Sequence, residues 1–420
     1  MRIGSAHGSP GRYIDVAKSP KVKSLTWIAR RGDTMVSRIF EYGRKNSSDF
    51  REKFKVIYFD ESLRFRIVTK LLRLSERTGN LARLFYYPLF LISRFMYLPE
   101  ISKSLIADVD FIWAGNNDSD GITQILLCYS HQFDNIPFIL SYQEHRCTYR
   151  IDEAFAFKAS KYLVLPSQRN LNFFKDTYGR YIAKKAFIAN EDWRPKELIN
   201  KVYAEPIQKL SSIDNIPRII ILARFVTYGK KKNYRRGSRV NYLEIIQELL
   251  DAGAIVHLNC LHIYESLESK NFSKNNPYHL IEKKYPEQFF IDKSYDMEEI
   301  DSYFQMKKFD AGILHNYVAG EEVSRFSQMN IPNRFFEYLV SGVKPIVIKN
   351  SLCDVEDAIN DIGFGVIAES YTEAVAFLKD CVKSSERQDY SKSHRFNFSN
   401  YFKILCDIYR KDIKLTKINY

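Results

Sequence analysis

Between Pro332 and Gly342 the chain reads PNRFFEYLVSG, a helix whose two ends carry their own punctuation. Proline suits the first turn, where a missing N–H costs nothing, and glycine suits the residue just past the end, where a left-handed backbone is wanted. Pro332, Phe335, Phe336, Leu339 and Val340 make one apolar face. Asn333, Glu337 and Ser341, each four residues from the next, share another, with Arg334 and Tyr338 beside them. The free N–H groups of a helix start attract an anion, a phosphate above all. Glu337, one turn further in, can accept hydrogen bonds from a pair of neighbouring hydroxyls. A diphosphate at the helix end and a diol at the carboxylate together describe a nucleotide sugar.

Such a helix needs strands to aim it. Phe309 to Leu314 (FDAGIL) and Val343 to Ile348 (VKPIVI) are short, apolar and bounded by polar residues, as buried strands are. A strand, a loop, a helix and a second strand put the helix start at the carboxyl end of the first strand, where α/β proteins bind ligands. His315 follows that strand directly and faces the same pocket.

The segment IPNRFFEYLVSGVKPIVI resembles the donor-binding helix of GT-B glycosyltransferases close to family four, where P-N-K-x-x-E-Y-x-x-x-G-x-P-V-I carries a carboxylate for the donor ribose. By this resemblance Glu337 is the ribose ligand, Arg334 the basic residue and Asn333 the asparagine. Many family members carry a second glutamate eight residues earlier; here that place is Met329, with Glu321 and Glu322 elsewhere in the same loop. The resemblance implies an α/β fold of two Rossmann-like domains facing across a cleft. It also implies transfer with retention, without metal or cofactor, from a nucleotide-diphosphate sugar as co-substrate.

The chain of 420 residues is long enough for two or three domains. Lys and Arg number 63 against 50 Asp and Glu, a net of +13. Residues 1–110 hold 21 basic and 11 acidic side chains, so most of the excess lies in the first quarter and expects an anionic partner there. Six cysteines stand without C-x-x-C or metal-like spacing and read as reduced thiols of a cytoplasmic protein. The N-terminus lacks the apolar core of a signal peptide.

In chain order, residues 1 to about 20 read as a loose arm rich in Gly, Ser and Pro. Leu25 to Ala29 reads as the first strand and Lys55 to Phe59 as the second. Family members have a glycine-bearing loop after their first strand, and Gly32 is the candidate for it, against a plain turn. Residues 62–103 are dense in large apolar and basic side chains, but Arg83, Pro88 and Arg94 interrupt them, so they are too charged to span a bilayer. Two readings compete: helices that bury one face in the core, or a segment lying in an anionic membrane interface.

From Phe111 strands and helices alternate (FIWAG, PFILSY, YLVLPS, AFIAN), the signature of a parallel sheet. Glu144 and His145 fall at the carboxyl end of PFILSY. A histidine at a strand end is more often structural, but SYQEHRCTYRIDEAFAFKASKYLVLPS is similar to the family's acceptor-side segment, which makes His145 and Glu144 the catalytic candidates and Glu153 a further carboxylate. Asn190 to about Pro217 lacks periodicity and reads as a linker.

A second α/β unit begins with the strand Arg218 to Ala223. The family resemblance makes Arg224, directly after that strand, a ligand of the donor diphosphate. A second basic residue is sought in the following loop, where Lys232, Arg236 and Arg239 compete and Arg236 is retained. His262 and Tyr264 follow the next strand. The resulting domains are 1–205 on the acceptor side, 206–390 on the donor side and 391–420 as a helix crossing back.

The expected activity is transfer of a sugar to a glycan or lipid-linked acceptor, at the inner face of a membrane touched by residues 62–103. A nucleotide-sugar epimerase of the same fold, a nucleic-acid-directed protein and a sugar-binding pseudoenzyme are the rivals. Nucleic acid ranks last among the partners.

Overall fold

The structure, a computed structural model, describes residues 2–5, 16–17, 19–30, 41, 48–59, 109–115, 138–141, 157–158, 160–190, 193–228, 241–265, 276–297, 299–315, 325–384 and 391–418. The chain divides into two units, one of Met1–Pro195 with Phe398–Tyr420, the other of Lys196–Asn397.

The first unit is built on seven strands: β1 (Arg2–Ser5), β2 (Ser24–Arg30), β3 (Phe54–Phe59), β4 (Phe111–Gly115), β5 (Phe138–Ser141), β6 (Tyr162–Leu165) and β7 (Ala186–Ile188). They run in the order β3-β2-β1-β4-β5-β6-β7, every pairing parallel. Helix α1 (Ser48–Lys53) precedes β3, and α2 (Gln168–Tyr178) lies between β6 and β7. Ser167 caps α2 by accepting the Asn170 N–H at 3.1 Å.

The expected loose arm is corrected by β1. Residues Arg2 to Ser5 are a central strand, with Ile3 paired to Leu25 on one side and to Phe111 on the other. RIGS holds one large apolar residue and so shows no period of its own; two long-range partners make it a strand. The strand read as first is therefore the second. Gly32 follows β2 and loses the positional argument for the loop after the first strand, and Gly32 itself lies outside the described residues.

The second unit opens with α3 (Lys196–Ala204), a helix inside the stretch expected to be a linker. Its apolar residues Ile199 and Val202 are buried one turn apart. Lys307 Nζ donates to the carbonyls of Val202 at 2.6 Å and Glu205 at 2.5 Å, closing the helix end. These contacts put α3 with the second unit, so the division falls after Pro195 and again after Asn397, where the sequence suggested 205/206 and 390/391.

Six parallel strands follow: β8 (Arg218–Thr227), β9 (Ile255–Tyr264), β10 (Phe289–Lys293), β11 (Ala311–Ile313), β12 (Lys344–Ile348) and β13 (Val366–Ala368). Their order is β10-β9-β8-β11-β12-β13. Counted within the unit this is 3-2-1-4-5-6, which reverses direction between β8 and β11, the point where such sheets leave a crevice beyond their carboxyl ends. The helices are α4 (Leu243–Asp251), α5 (Pro277–Lys284), α6 (Ile300–Met306), α7 (Arg325–Gln328), α8 (Asn333–Val340), α9 (Cys353–Ile362) and α10 (Tyr371–Ser384). Helices α4 and α10 share one apolar cluster with the sheet, to which no residue of α8 or α9 belongs.

At the amino ends of the central strands, Asp310 accepts the Arg218 N–H and the Ser211 hydroxyl, each at 2.7 Å. Lys209 Nζ donates to the carbonyls of Phe309 at 2.5 Å and Gly342 at 3.1 Å.

The chain returns to the first unit as α11 (Phe398–Ile418). Phe398, Tyr401, Phe402 and Leu405 join Phe54, Phe111 and Trp113 in one buried cluster. Trp113 Nε1 donates to Ser141 Oγ at 2.7 Å, and the Tyr401 hydroxyl bonds the same Ser141. No helix among the described residues is long and apolar enough to cross a membrane.

Candidate functional site

Helix α8 starts one residue later than its proline: Pro332 is the flanking residue, extended at ψ 144°, and brings no side-chain cap. The Phe335 N–H turns back to the Pro332 carbonyl at 2.9 Å. At the other end Gly342 adopts φ 61°. The Gly342 N–H reaches the Leu339 carbonyl at 3.2 Å and the Val343 N–H the Tyr338 carbonyl at 3.0 Å, the paired bonds of a left-handed helix stop.

What the helix presents differs from its wheel. Asn333 is exposed at the first helical position, but Glu337 is 9% exposed and Ser341 fully buried, so the polar face turns inward within two turns. Arg334 is likewise drawn in. Its Nη1 donates to the Leu222 carbonyl at 2.7 Å and to the Tyr242 hydroxyl at 2.9 Å, and its Nη2 to the His315 carbonyl at 3.4 Å. Burial opposes its charge, but Tyr242, Tyr338 and Glu337 around it hold the guanidinium above its ordinary pKa. Arg334 therefore spends at least three N–H bonds on the protein, at the middle of β8 just past its last pairing with β11 and beyond the end of β11.

One turn on, the Tyr338 hydroxyl sits where those strands part. Their pairing ends at Gly312↔Ile220. Beyond it the hydroxyl accepts the Leu222 N–H at 3.2 Å and lies 3.3 Å from the Ile313 carbonyl and 3.4 Å from that of Ile220. Where the ladder ends, three main-chain groups thus share one phenol. Burial pushes that phenol's pKa well above its ordinary value, so it remains a donor. The ring needs room, and Gly312 supplies it: a Cβ there would stand 2.4 Å from the ring carbons of Tyr338.

His315 is 2% exposed, and its ring meets Tyr242 edge-on at 5.4 Å. Tyr242 is positioned in turn through its N–H, which donates to the Tyr278 hydroxyl at 2.9 Å; that hydroxyl donates to the Thr227 carbonyl, also at 2.9 Å. Met329, at the place of the family's earlier glutamate, is buried at 6% exposure.

Arg224 departs from its expected setting. Strand β8 does not stop at Ala223 but continues to Thr227, and β9 continues to Tyr264, so Arg224, His262 and Tyr264 all lie within strands. The ladder pairs Ala223 with Cys260 and Phe225 with His262 but skips the residues between. Those two, Arg224 and Leu261, are both exposed, Leu261 at 52%.

The structure thus gathers Glu337, Arg334 and His315 around the end of β11. Asn333 stands at the mouth of the helix, and Arg224 emerges from β8. Glu144 and His145 lie outside the described residues, following β5 in the chain, which ends at Ser141; Arg236 follows β8 in the chain and is also outside them. Sequence reasoning missed Gly312 and the Tyr242–Tyr278 relay. A glycine inside the apolar run FDAGIL was the available signal, because a strand glycine marks close approach by a neighbour. Nothing local marks Tyr242 or Tyr278.

No protein-family profile and no curated protein matches the chain. Solved structures do. HepE of Anabaena in complex with UDP-glucose is 13% identical, with 99% of each chain covered and a TM-score of 0.51. An alpha,alpha-trehalose-phosphate synthase (UDP-forming) from Burkholderia vietnamiensis is 9% identical over all of both chains at 0.53. An E. coli trehalose-6-phosphate structure bound with UDP-2-fluoro glucose is 11% identical, covering 97% of this chain and 99% of that one, at 0.56. At such identities the likeness establishes the fold, which is GT-B.

Proposed function

We propose that this chain is a glycosyltransferase that moves a sugar from a nucleotide-diphosphate donor to a glycan or lipid-linked acceptor. The observation that carries the reading is the buried carboxylate of Glu337, one turn inside a helix with no side-chain cap, at the reversal point of a 3-2-1-4-5-6 sheet. The neighbours of this fold that hold UDP-glucose or UDP-2-fluoro glucose support a uridine nucleotide as the first donor to try.

In this reading Glu337 accepts the two ribose hydroxyls, and the diphosphate lies against the N–H groups of Asn333 and Arg334. Departure of the diphosphate concentrates negative charge there, and a fixed helix end with a held guanidinium stabilises that charge without reorganising. Arg224 reaches the same phosphates from β8, and Arg236 from the loop beyond it. His315 borders the sugar. Glu144 and His145 act on the acceptor side, with retention of configuration and no metal. Residues 62–103 hold the enzyme on an anionic membrane at the cytoplasmic face.

Thermal melting against a panel of nucleotide sugars tests the core of this. A true donor raises the melting temperature with the logarithm of its concentration. Glu337→Gln, which keeps the side chain's shape, should melt at the wild-type temperature without ligand and lose the shift. Absence of any stabilising nucleotide sugar, or an undiminished shift in Glu337→Gln, would overturn the assignment.

A further inference from the structure

Strand β13 closes the second unit's sheet on one side: among the described residues it has β12 on one edge and no strand on the other. The Lys349 N–H donates to the Ala368 carbonyl at 2.9 Å, which aims Ala368 at β12. Strand alternation then turns the N–H and C=O of Ile367 toward the open edge. That edge is not flush with the surface. It floors a groove of about 380 Å³, with Ile359 and Asn360 of α9 on one wall and Glu373 and Phe377 of α10 on the other.

Two features set the groove's chemistry. Phe377 is 44% exposed, one of few large apolar side chains so placed among the described residues. Charge is the second. Residues 353–384, the two walls and the strand between them, carry seven carboxylates and two lysines, a local net of −5 in a chain of +13. Asp361 and Glu369 are already paired, with Arg395 and Lys349. Glu373 accepts the Glu369 N–H at 2.7 Å through one oxygen and is itself exposed.

We infer that this groove is a docking site for an extended, cationic segment of another polypeptide, which adds a strand to β13. Main-chain bonds to Ile367 would give the register, an apolar side chain would cover Phe377, and a lysine or arginine would meet Glu373. Edge addition works in this way generally: backbone bonds supply affinity and alternate side chains supply selection. Glu373, the one charged side chain among the lining residues, and the net negative charge of the elements around it disfavour an anionic membrane or a nucleic acid as occupant, since like charges facing each other repel.

A fluorescent peptide about six residues long, the length of an ordinary strand, alternating valine and lysine, provides the probe for anisotropy titration against the full chain. Saturable binding is expected. Glu373→Gln, which keeps the acceptor for Glu369, and Phe377→Ala should each weaken it by about tenfold. A peptide N-methylated at alternate residues should not bind, and it tests the main-chain bonds without disturbing the protein. Equal binding of a valine–glutamate peptide, unimpaired binding of the N-methylated peptide, or no binding at all would overturn the proposal. So would a concentration-dependent dimer lost in Phe377→Ala, because the edge would then belong to a second copy of this chain.

Discussion

Arg334 and Tyr338, one turn apart on α8, hold the two main-chain groups of a single residue of β8: Arg334 donates to the carbonyl of Leu222 at 2.7 Å, and Tyr338 accepts its N–H at 3.2 Å. Leu222 lies just past the last pairing of β8 with β11, so both of its main-chain groups would otherwise face a gap between diverging strands. The helix that carries Glu337 is thereby pinned to the floor of the crevice. Neighbours three residues before Glu337 and one after it are thus fixed to the strand, which holds in place the turn that carries the proposed ligand carboxylate.

Tyr338→Phe removes only the hydroxyl, and so leaves the Leu222 N–H and the carbonyls of Ile220 and Ile313 without that partner. Loss of a buried bonding group costs roughly 1 to 3 kcal/mol. Urea unfolding followed by a probe in the second unit should show that loss together with weaker nucleotide binding. A Phe variant as stable as the wild type would remove the clamp from consideration.

Gly312→Ala places a methyl against the Tyr338 ring, at a built distance of 2.4 Å. Overpacking of this kind costs roughly 1 to 3 kcal/mol. Combined with Tyr338→Leu, which clears the ring, the alanine should cost less than it does alone, so the double-mutant cycle has a coupling energy. Strict additivity would mean that the ring can move aside.

Arg224 is exposed, so Arg224→Ala should change stability by no more than about 0.5 kcal/mol. Affinity for a nucleoside diphosphate should nevertheless fall about tenfold or more, as loss of a charge-assisted bond does. Calorimetric titration with UDP decides it, and unchanged affinity would return Arg224 to the solvent.

Lys209 makes stability depend on pH. Burial lowers its amine from 10.5 to about 7, against the pull of Asp310 and with further lowering from Lys344 and Lys307. Between those two values the unfolded chain keeps a proton that the folded chain has released, so stability rises with pH across about 7 to 10.5, by at most about 1.4 kcal/mol per unit. The cost of burying the charged amine is fully present below pH 7. Lys209→Met should flatten that part of the pH profile of the urea midpoint. Parallel profiles for the two proteins would show that the amine stays charged while donating to Phe309 and Gly342.

Local patterns were enough for α8 itself. Pro332 and Gly342 bound it within one residue because cap chemistry depends on neighbours within a turn, and the strands on either side announced themselves by short apolar runs. The strand that restarts the alternation at Arg218 was equally plain, since alternation of strand and helix is written in composition. Three decisions belonged to the tertiary structure alone. Arg2 to Ser5 became a central strand only because β2 and β4 lie on either side of it. Arg334, the basic residue of its motif, found the carbonyls of Leu222 in β8 and of His315 just past β11, both distant in the chain. Gly312 proved necessary only once the Tyr338 ring, twenty-six residues later, lay against it. Caps and periodicity are set by adjacent residues and can be read in order; the partner of a guanidinium or the space beside a glycine is set by which strands the sheet brings together.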